Sequence, residues 1–292
     1  MLALRQNILV IGATGFTGSR LIDRLRERTD ETFALLVRDP RRAPSGFTTY
    51  TGDLDDPESL KEAFKNKDGL ICLAPLKKGH AQLLLNLCQA AGIRRALFVS
   101  TTDVFTLKNI YQKVILRENE RLITTSTMDW TILRPTMLYG APDDHTVSAL
   151  VAHLRRRGFL WVPNHTNPHI QPVHVDDMVQ AVVNAFFATA AYRRAYTLSG
   201  KIPMTFHHMV EMVAQALGRK VWLKPVPAWV FNLMLHTYGR FVYSPALVDL
   251  LRRMSEAKPF DHEAAARDIG FHPRRFENGL KQQLKQQERP DA

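Results

Sequence analysis

The sequence predicts an α/β protein with a doubly wound parallel sheet and a smaller, interleaved C-terminal lobe. Three observations predict it. Short, nearly continuous apolar runs alternate with stretches whose apolar residues recur at helical spacing, which is typical of a parallel sheet covered on both faces. A glycine-rich loop follows the first apolar run, and the regular alternation breaks beyond Pro135.

Each apolar run bounded by turn-forming residues predicts one strand of the sheet. The predicted strands cover residues 8–11, 32–37, 47–51, 70–74, 96–100, 130–134 and a returning strand at 196–199. Alternation with helices makes the connections right-handed crossovers between parallel strands.

The predicted helices lie between these strands. Helical spacing begins at residue 19 and recurs at residues 80–91, where Gly92 ends the helix, and at residues 111–126. Asp56 at the cap position and Pro57 at the first position predict another helix start. Asp176 is expected to cap a helix whose apolar residues form a continuous stripe, so this helix belongs on the sheet.

The loop at residues 12–18 lies between the first strand and the first helix. Gly12, Gly15 and Gly18 remove the Cβ atoms that would keep a pyrophosphate away from the backbone, and the helix N-terminus offers N–H groups and a favourable dipole. The sequence therefore predicts a dinucleotide site here, with Thr14 and Phe16 as further loop contacts. A glycine-rich turn without a ligand is the alternative.

Composition limits the possible partners. The 292 residues are 45% hydrophobic, enough for a sizeable core, and 39 Lys and Arg residues against 28 Asp and Glu residues give a net charge of +11. This charge suits phosphorylated ligands or a polyanion. Since the basic residues are scattered and no nucleic-acid-binding motif accompanies them, solvated surface is favoured over a specific nucleic-acid site.

Cysteine and histidine usage favours a reducing compartment and no metal. Cys72 and Cys88 lie in a strand-like and a helix-like run and are predicted to be small buried hydrophobes. His165, His169 and His174 lie in a turn-rich region without helical ligand spacing. No apolar run approaches the roughly 20 residues that span a bilayer. A cytoplasmic protein without a transmembrane segment is expected.

Several sequence blocks resemble, in order, the extended and atypical short-chain dehydrogenase/reductase superfamily, of the nucleotide-sugar epimerase and NmrA-like types. They are the glycine loop and residues 36–40, 52–54, 99–105, 132–135, 139–140, 172–177 and 268–273. The resemblance implies a Rossmann domain of residues 1–137 and 172–200, and a substrate lobe of residues 138–171 and 201–292. A homodimer is a further possibility. Candidate walls of the substrate pocket are Trp161, Trp222, Trp229 and Tyr238.

The resemblance also implies cofactor contacts. An acidic residue at the end of the second strand selects NAD, whereas an arginine there can pair with the 2′-phosphate of NADP, so Arg38 favours NADP. Arg38 stacked on adenine or facing solvent is the alternative, with NAD as the other cofactor. The remaining implied contacts are Asp53 and Leu54 at the adenine, Ala74 and Pro75 along the ribose and pyrophosphate, and Pro135 near the nicotinamide.

Catalysis in this superfamily uses a tyrosine as general acid/base, a lysine four residues later that lowers the tyrosine pKa, and a serine or threonine that orients the substrate oxygen. Thr101 fits the hydroxyl position. Tyr111 is the candidate acid/base, but Lys113 follows it by only two residues, so the tyrosine–lysine spacing is absent. Lys113 is a candidate contact to the nicotinamide ribose, and Asp103 is a candidate substitute acid or else a helix cap.

Two functions remain open from the sequence. The first is an NADP-dependent reductase or epimerase that acts on a small carbonyl or sugar-like substrate. The second is a non-catalytic dinucleotide sensor or assembly subunit, which accounts for the degraded catalytic motif without further assumptions.

Overall fold

The computed structural model describes residues 6–107, 111–164, 169–237, 244, 247–248 and 259–288. The chain divides into two compact units and passes between them repeatedly. The first unit is Met1–Pro135, Asp176–Leu198 and His262–Phe271; the second is Thr136–Val175, Ser199–Asp261 and His272–Ala292.

This division differs from the expected boundaries by a few residues at most junctions, and by one whole segment. His262–Phe271 was assigned to the second lobe but groups with the first unit. Hydrogen bonds between residues that are distant in sequence tie this segment to the first unit. The Tyr196 hydroxyl donates to the Asp268 carboxylate at 3.0 Å, and the Asn184 amide donates to the Ile269 carbonyl at 2.8 Å.

The sheet of the first unit has seven parallel strands. They are β1 (Asn7–Ile11), β2 (Thr32–Val37), β3 (Thr48–Thr51), β4 (Gly69–Cys72), β5 (Arg95–Val99), β6 (Asp129–Pro135) and β11 (Arg194–Leu198). Their spatial order is β11-β6-β5-β4-β1-β2-β3, which confirms the predicted doubly wound sheet. The order reverses between β1 and β4, and at such a switch point a crevice forms outside the carboxyl ends of the strands.

Helices cover this sheet. The first unit contains α1 (Phe16–Arg26), α2 (Lys61–Phe64), α3 (His80–Ala91), α4 (Tyr111–Thr125), nearly all of α6 (Val175–Phe187) and α9 (Glu263–Ile269). Strand β2 and helix α3 have the predicted bounds, and Gly92 ends α3 in a left-handed conformation with φ of 75°.

One of the two predicted helix caps was wrong. Asp56 and Pro57 do hold the predicted cap and first positions, but of the 3-10 turn Pro57–Leu60 before α2, and the Asp56 side chain makes no capping hydrogen bond. Helix α6 begins at Val175, so Asp176 lies inside its first turn rather than at the cap. A carboxylate in the first turn still interacts favourably with the helix dipole, which is why aspartate suits both positions.

The second unit has its own hydrophobic core. Its elements are β7 (Leu138–Tyr139), α5 (Val147–Arg156), β8 (Phe159–Pro163), β9 (His169–Ile170), β10 (Val173–His174), β12 (Met204–Thr205), α7 (Phe206–Ala216), β13 (Trp222–Val226), α8 (Ala228–Thr237) and α10 (Phe276–Gln287). Tyr139, Phe206 and Phe276 are all buried in this core. The strands pair in twos, as β10 with β7, β12 with β9 and β13 with β8.

Both cysteines are free thiols and buried, as predicted: Cys72 ends β4 and Cys88 lies on α3. In the part of the chain that the structure describes, no helix combines the length and the apolar character that crossing a membrane requires.

Candidate dinucleotide site and active site

The glycine loop has the geometry of an anion cradle. Gly12 adopts φ of +90°, a conformation that L side chains rarely adopt, and a Cβ atom on it would lie 2.9 Å from the Ala74 nitrogen. A Cβ atom on Gly18 would lie 2.0 Å from the Gly12 carbonyl oxygen. These two glycines let the loop pack tightly between β1, β4 and α1, and no side chain at either position could occupy the same space.

Gly15 has a different role, because it faces outward. It is the N-cap of α1, it is exposed, and its φ of −84° is open to any residue. Its N–H donates to the Gly12 carbonyl at 3.1 Å, which closes the turn. Without a side chain at Gly15, the first N–H groups of α1 are accessible to a phosphate. The loop therefore fits the pyrophosphate of a dinucleotide.

The next two predicted loop residues flank this cradle. Thr14 is half-buried, and Phe16 begins α1. The Arg20 guanidinium lies 4.6 Å from the centre of the Phe16 ring and donates to the Phe16 carbonyl at 2.7 Å. This stacking holds the first turn of α1 in place beside the loop.

Arg38 follows β2 directly and is exposed. Its neighbour Asp39 accepts hydrogen bonds from the Arg41 backbone at 3.1 Å and from the Arg41 guanidinium at 2.9 and 3.0 Å. These bonds, the side-chain bond first, hold the pKa of Asp39 below its ordinary value. The acidic group at the end of β2 is thus occupied by Arg41, whereas Arg38 remains accessible to solvent.

The other predicted cofactor contacts lie at or just beyond the ends of sheet strands. Asp53 and Leu54 follow β3, and the Asp53 carboxylate accepts from the Asp55 N–H at 2.9 Å. Ala74 and Pro75 follow β4, and Pro135 ends β6, where its carbonyl accepts from the Thr102 hydroxyl at 3.5 Å. In a parallel sheet all these ends lie on one edge, where ligands of doubly wound folds bind.

A cavity of about 180 Å³ opens at this edge. Leu73, Pro75, Phe98 and Ile132 supply part of its mostly apolar wall. Leu73 also connects the cavity to the glycine loop, because a Cβ atom on Gly12 would lie 3.2 Å from the Leu73 carbonyl carbon. The cavity is therefore directly adjacent to the predicted pyrophosphate site.

Two residues with hydroxyl groups, Ser100 and Thr101, line the cavity at the end of β5. The Ser100 hydroxyl oxygen is itself buried and has no hydrogen-bond partner among the described residues. The Thr101 hydroxyl accepts from the Asp103 N–H at 3.3 Å, which leaves its own proton to donate. Asp103 itself lies in the 3-10 turn Thr102–Phe105 and is not part of the cavity wall. Of the two hydroxyl-bearing residues in the cavity wall, Thr101 therefore has a proton left to donate.

Helix α4 presents Gln112 and Leu116 to the cavity. These residues are four apart and lie on one helix face. Tyr111 is 71% exposed and Lys113 is half-buried, and neither belongs to the cavity wall. The face of α4 that lines the cavity together with Ser100 and Thr101 therefore carries an amide, Gln112, and an aliphatic side chain, Leu116. The resemblance implies a tyrosine and a lysine four residues apart on this helix.

Asn119 and Glu120 follow Leu116 along α4, towards the C-terminus of the helix, and line the same cavity. The Asn119 amide donates to the carbonyls of Leu76 at 3.0 Å and Lys77 at 3.2 Å, which fixes the chain after β4. The Glu120 carboxylate lies in the cavity wall and is held by the Arg134 guanidinium at distances down to 2.6 Å. Both groups are engaged by the protein itself.

The sequence reasoning missed Ser100, Gln112, Leu116 and Asn119. Helical spacing was the available signal, because Leu116 and Gln112 lie four and eight residues before Glu120. Counting back from the acidic residue of the helix, rather than forward from the nearest tyrosine, would have identified this face.

Other predicted residues lie elsewhere. Trp222 and Trp229 are 71% and 70% exposed, so neither forms a closed pocket wall, and Trp161 is half-buried. His174 is buried and stacks edge-on with Tyr139 at 5.3 Å, and His169 is exposed. His165 and Tyr238 lie outside the described residues. Within the described ranges, no cluster of potential metal ligands occurs.

Comparison with known proteins adds independent findings. A family model described as NAD(P)H-binding matches residues 12–158. An NAD(P)H azoreductase of Xenophilus azovorans is 25% identical over 223 residues, covering 73% of this chain and 75% of that protein. A UDP-glucose 4-epimerase of Vibrio cholerae is 22% identical over 315 residues, covering 95% of this chain and 94% of that protein.

Among solved structures, an NADPH-dependent quinone oxidoreductase of Escherichia coli, in complex with NADPH, superimposes with a TM-score of 0.77. The two chains are 19% identical, and the match covers 94% of this chain and 98% of the other. At this identity the match supports the fold, and it agrees with the doubly wound sheet described above.

Proposed function

The chain belongs to the NAD(P)H-binding family, within the superfamily of reductases and nucleotide-sugar epimerases, and from that premise we propose that it is an NADP-dependent reductase of a delocalised electron acceptor, such as a quinone or an azo compound. The cofactor is a nicotinamide dinucleotide. The observation that carries the proposal is the pair Gln112 and Leu116 on the cavity face of α4.

The phosphate contacts follow from the strand ends. The backbone at Gly12, Gly15 and Gly18 holds the pyrophosphate at the start of α1. Arg38 pairs with the 2′-phosphate of NADP, since the competing acidic residue Asp39 is occupied by Arg41. The dinucleotide, when bound, supplies a hydride to the adjacent cavity.

The cavity wall favours reduction over epimerisation. Oxidising a sugar hydroxyl requires a base that takes the hydroxyl proton as the hydride leaves, and the amide of Gln112 cannot accept that proton near neutral pH. Glu120 is the carboxylate in the wall, and Arg134 engages both of its oxygens. A reaction that needs no protein base is therefore the better match for this site.

A delocalised acceptor meets this requirement. A quinone that gains one hydride becomes a hydroquinone monoanion, which is stable enough to take its proton from water, so the balance needs one hydride and one solvent proton. The O–H group of Thr101 stabilises the oxyanion by a hydrogen bond. A mostly apolar cavity suits an aromatic acceptor. The names of the azoreductase relative and the quinone oxidoreductase neighbour are consistent with this class.

The test is NADPH oxidation by the purified protein with menadione or methyl red as acceptor, followed at 340 nm. With menadione we expect Thr101→Val to lower kcat/KM by about 10- to 100-fold, since the hydrogen-bond donor to the oxyanion of the reduced quinone is lost. Tyr111→Phe is the matched control, because its side chain is exposed outside the cavity, and it should leave the rate unchanged. Loss of activity in Tyr111→Phe, or turnover of secondary alcohols by the unaltered protein, would overturn the proposed mechanism.

Cofactor preference is tested separately by fluorescence titration with NADPH and NADH. Arg38→Ala should reduce the preference for NADPH by about 10- to 100-fold, as expected for a charge-assisted contact to phosphate. Arg24→Ala is the control, because Arg24 is an exposed arginine on α1 that pairs with Glu27. Equal loss in both variants would contradict a specific role for Arg38.

A second candidate function rests on the same observation. A dinucleotide-binding protein without catalysis also has no need for the tyrosine and lysine that α4 lacks at the cavity. It predicts NADPH binding without oxidation by any acceptor. The two candidates therefore separate in one experiment, since both require binding and only the first requires turnover.

A further inference from the structure

The second unit contains its own cavity, which shares no residue with the cavity of the first unit. Its volume is about 380 Å³, within the range of small-molecule sites of about 300–1,000 Å³. The proposed reductase chemistry makes no use of it. All of its lining residues belong to the second unit, at the starts of α7 and α10 and beside β9 and β12.

The interior of this cavity is apolar. Met204 lies on β12 opposite Ile170 of β9, Met212 lies on α7, and Phe276 begins α10 with its side chain buried in the core. Methionine side chains are flexible and polarizable, so they adapt to ligands of different shape. Two methionines and one aromatic ring give an acyl or other apolar group a continuous contact surface.

The rim of the cavity is predominantly positive. Lys201 and Arg275 both line it and are both exposed. Within the described part of the chain, neither is paired with a carboxylate. Glu277 is the acidic residue in the lining, against these two fixed cations. His169 and His208 also line the cavity, and the His208 ring lies 3.7 Å from the Glu211 carboxylate.

Two helices begin at this rim and add to the positive potential. Thr205 caps α7 by accepting from the His208 N–H at 3.2 Å. Helix α10 begins after Arg275 without a side-chain cap. The partial positive charge of a helix N-terminus favours an anion. The apolar interior therefore suits an apolar body of a ligand. The cations and the two helix N-termini at the rim suit one anionic end.

We propose that this cavity is a second ligand site, which binds a small amphipathic anion. The carboxylate or phosphate of the ligand contacts Lys201 and Arg275, and its apolar chain lies against Met204, Met212 and Phe276. In this arrangement the anionic group of the ligand pairs with the two cations, and its chain covers the apolar lining of the cavity.

Isothermal titration of the full-length protein with octanoate tests the site. One equivalent should bind, whereas acetate, which lacks the chain, and methyl octanoate, which lacks the charge, should not. Octyl phosphate, titrated in parallel, distinguishes a phosphate ligand from a carboxylate, and tighter binding of either anion supports the site. Raising the salt from 50 to 500 mM should weaken binding, since exposed charges are screened.

The variant Lys201→Ala/Arg275→Ala should weaken octanoate binding at least tenfold. Its matched control is Arg219→Ala/Lys220→Ala, which removes the same charge from exposed residues beyond the opposite end of α7 and should bind octanoate normally. Met212→Ala should weaken octanoate several-fold through lost apolar contact. NADPH titration of every variant checks that it is folded. Absence of binding by both octanoate and octyl phosphate, or equal binding by the two double variants, would overturn the proposal.

Discussion

Glu120, in the wall of the first-unit cavity, accepts three hydrogen bonds from the Arg134 guanidinium, with nitrogen–oxygen distances of 2.9, 3.1 and 2.6 Å. The two side chains are only 10% and 16% exposed, and the pair ties α4 to the end of β6. Removing one partner of a buried pair leaves the other charge uncompensated. We expect Glu120→Ala to lower the free energy of unfolding by about 3 kcal/mol, measured by urea denaturation.

The same helix supplies the control for this prediction. Glu118 and Arg121 form an ion pair at 2.8 Å, but their side chains are 51% and 59% exposed. Exposed pairs contribute at most about 1 kcal/mol. Equal destabilisation by Glu118→Ala and Glu120→Ala would mean that burial does not set the strength of the Glu120–Arg134 pair.

Two glycines of the loop are expected to have different roles: Gly18 is needed for folding, and Gly15 for binding of the dinucleotide. Gly18→Ala places a Cβ atom 2.0 Å from the Gly12 carbonyl, so the loop must move, and we expect lower thermal stability together with lost NADPH binding. Gly15→Ala places its Cβ atom 3.4 Å from the same oxygen, at an ordinary φ, so the fold should tolerate it while NADPH binding weakens at least tenfold. Thermal melts and NADPH titrations on both variants check this division.

Gly158→Ala is the control for the loop, since the nearest atom to its Cβ is 3.7 Å away. It should change neither stability nor NADPH affinity appreciably. Normal NADPH binding by Gly15→Ala would show that the pyrophosphate does not approach this residue closely.

The sequence predicts the sheet well because its signal is local. Strands β1, β2 and β4 are nearly continuous apolar runs, and Gly92 marks the end of α3 with the left-handed conformation that glycine favours. The segment His262–Phe271 groups with the first unit, and its hydrogen bonds there are to Tyr196 and Asn184, which are distant in sequence. Local patterns carry no information about such contacts.

The candidate site was only partly predictable for a related reason. Glycines and strand ends mark the proposed cofactor positions in the sequence, because the backbone geometry of the loop requires glycine. The cavity face of α4 depends on helix rotation, which is set by packing: Leu116 and Ile123 are buried, whereas Tyr111 is exposed. The presence of Tyr111 near the expected position therefore did not identify the cavity face of α4. The rotation of the helix follows from which of its residues are buried.

Restoring the missing pair should change the chemistry of the site. In Gln112→Tyr/Leu116→Lys a phenol and an ammonium are placed four residues apart on the cavity face, where the lysine can lower the tyrosine pKa. We expect NADP-dependent oxidation of a secondary alcohol such as cyclohexanol to become measurable, with a rate that rises with pH through the tyrosine titration. Absorbance at 340 nm follows the reaction.

The control places the same two residue types on another face of the helix. Val114→Tyr together with Glu118→Lys keeps the spacing at exposed positions of α4 outside the cavity wall, so it should produce no alcohol oxidation. Activity in both double variants, or in neither, would contradict the assignment of Gln112 and Leu116 to the catalytic face.

The buried thiols predict how stability depends on pH. Burial raises the pKa of Cys72, and chiefly burial that of Cys88, from 9.0 to about 12. The folded state thus favours the protonated thiols, so this contribution to stability is complete below pH 9 and is lost as the pH rises from 9 towards 12. Each thiol should then lower the free energy of unfolding by about 1.4 kcal/mol per pH unit. Urea denaturation at pH 8, 9 and 10 measures this slope. The variant Cys72→Ala/Cys88→Ala should lose the part of the slope that the two thiols contribute. The part that comes from tyrosine and lysine titrations is common to both proteins. Identical slopes in the two proteins would mean that the thiols ionise equally in the folded and unfolded states.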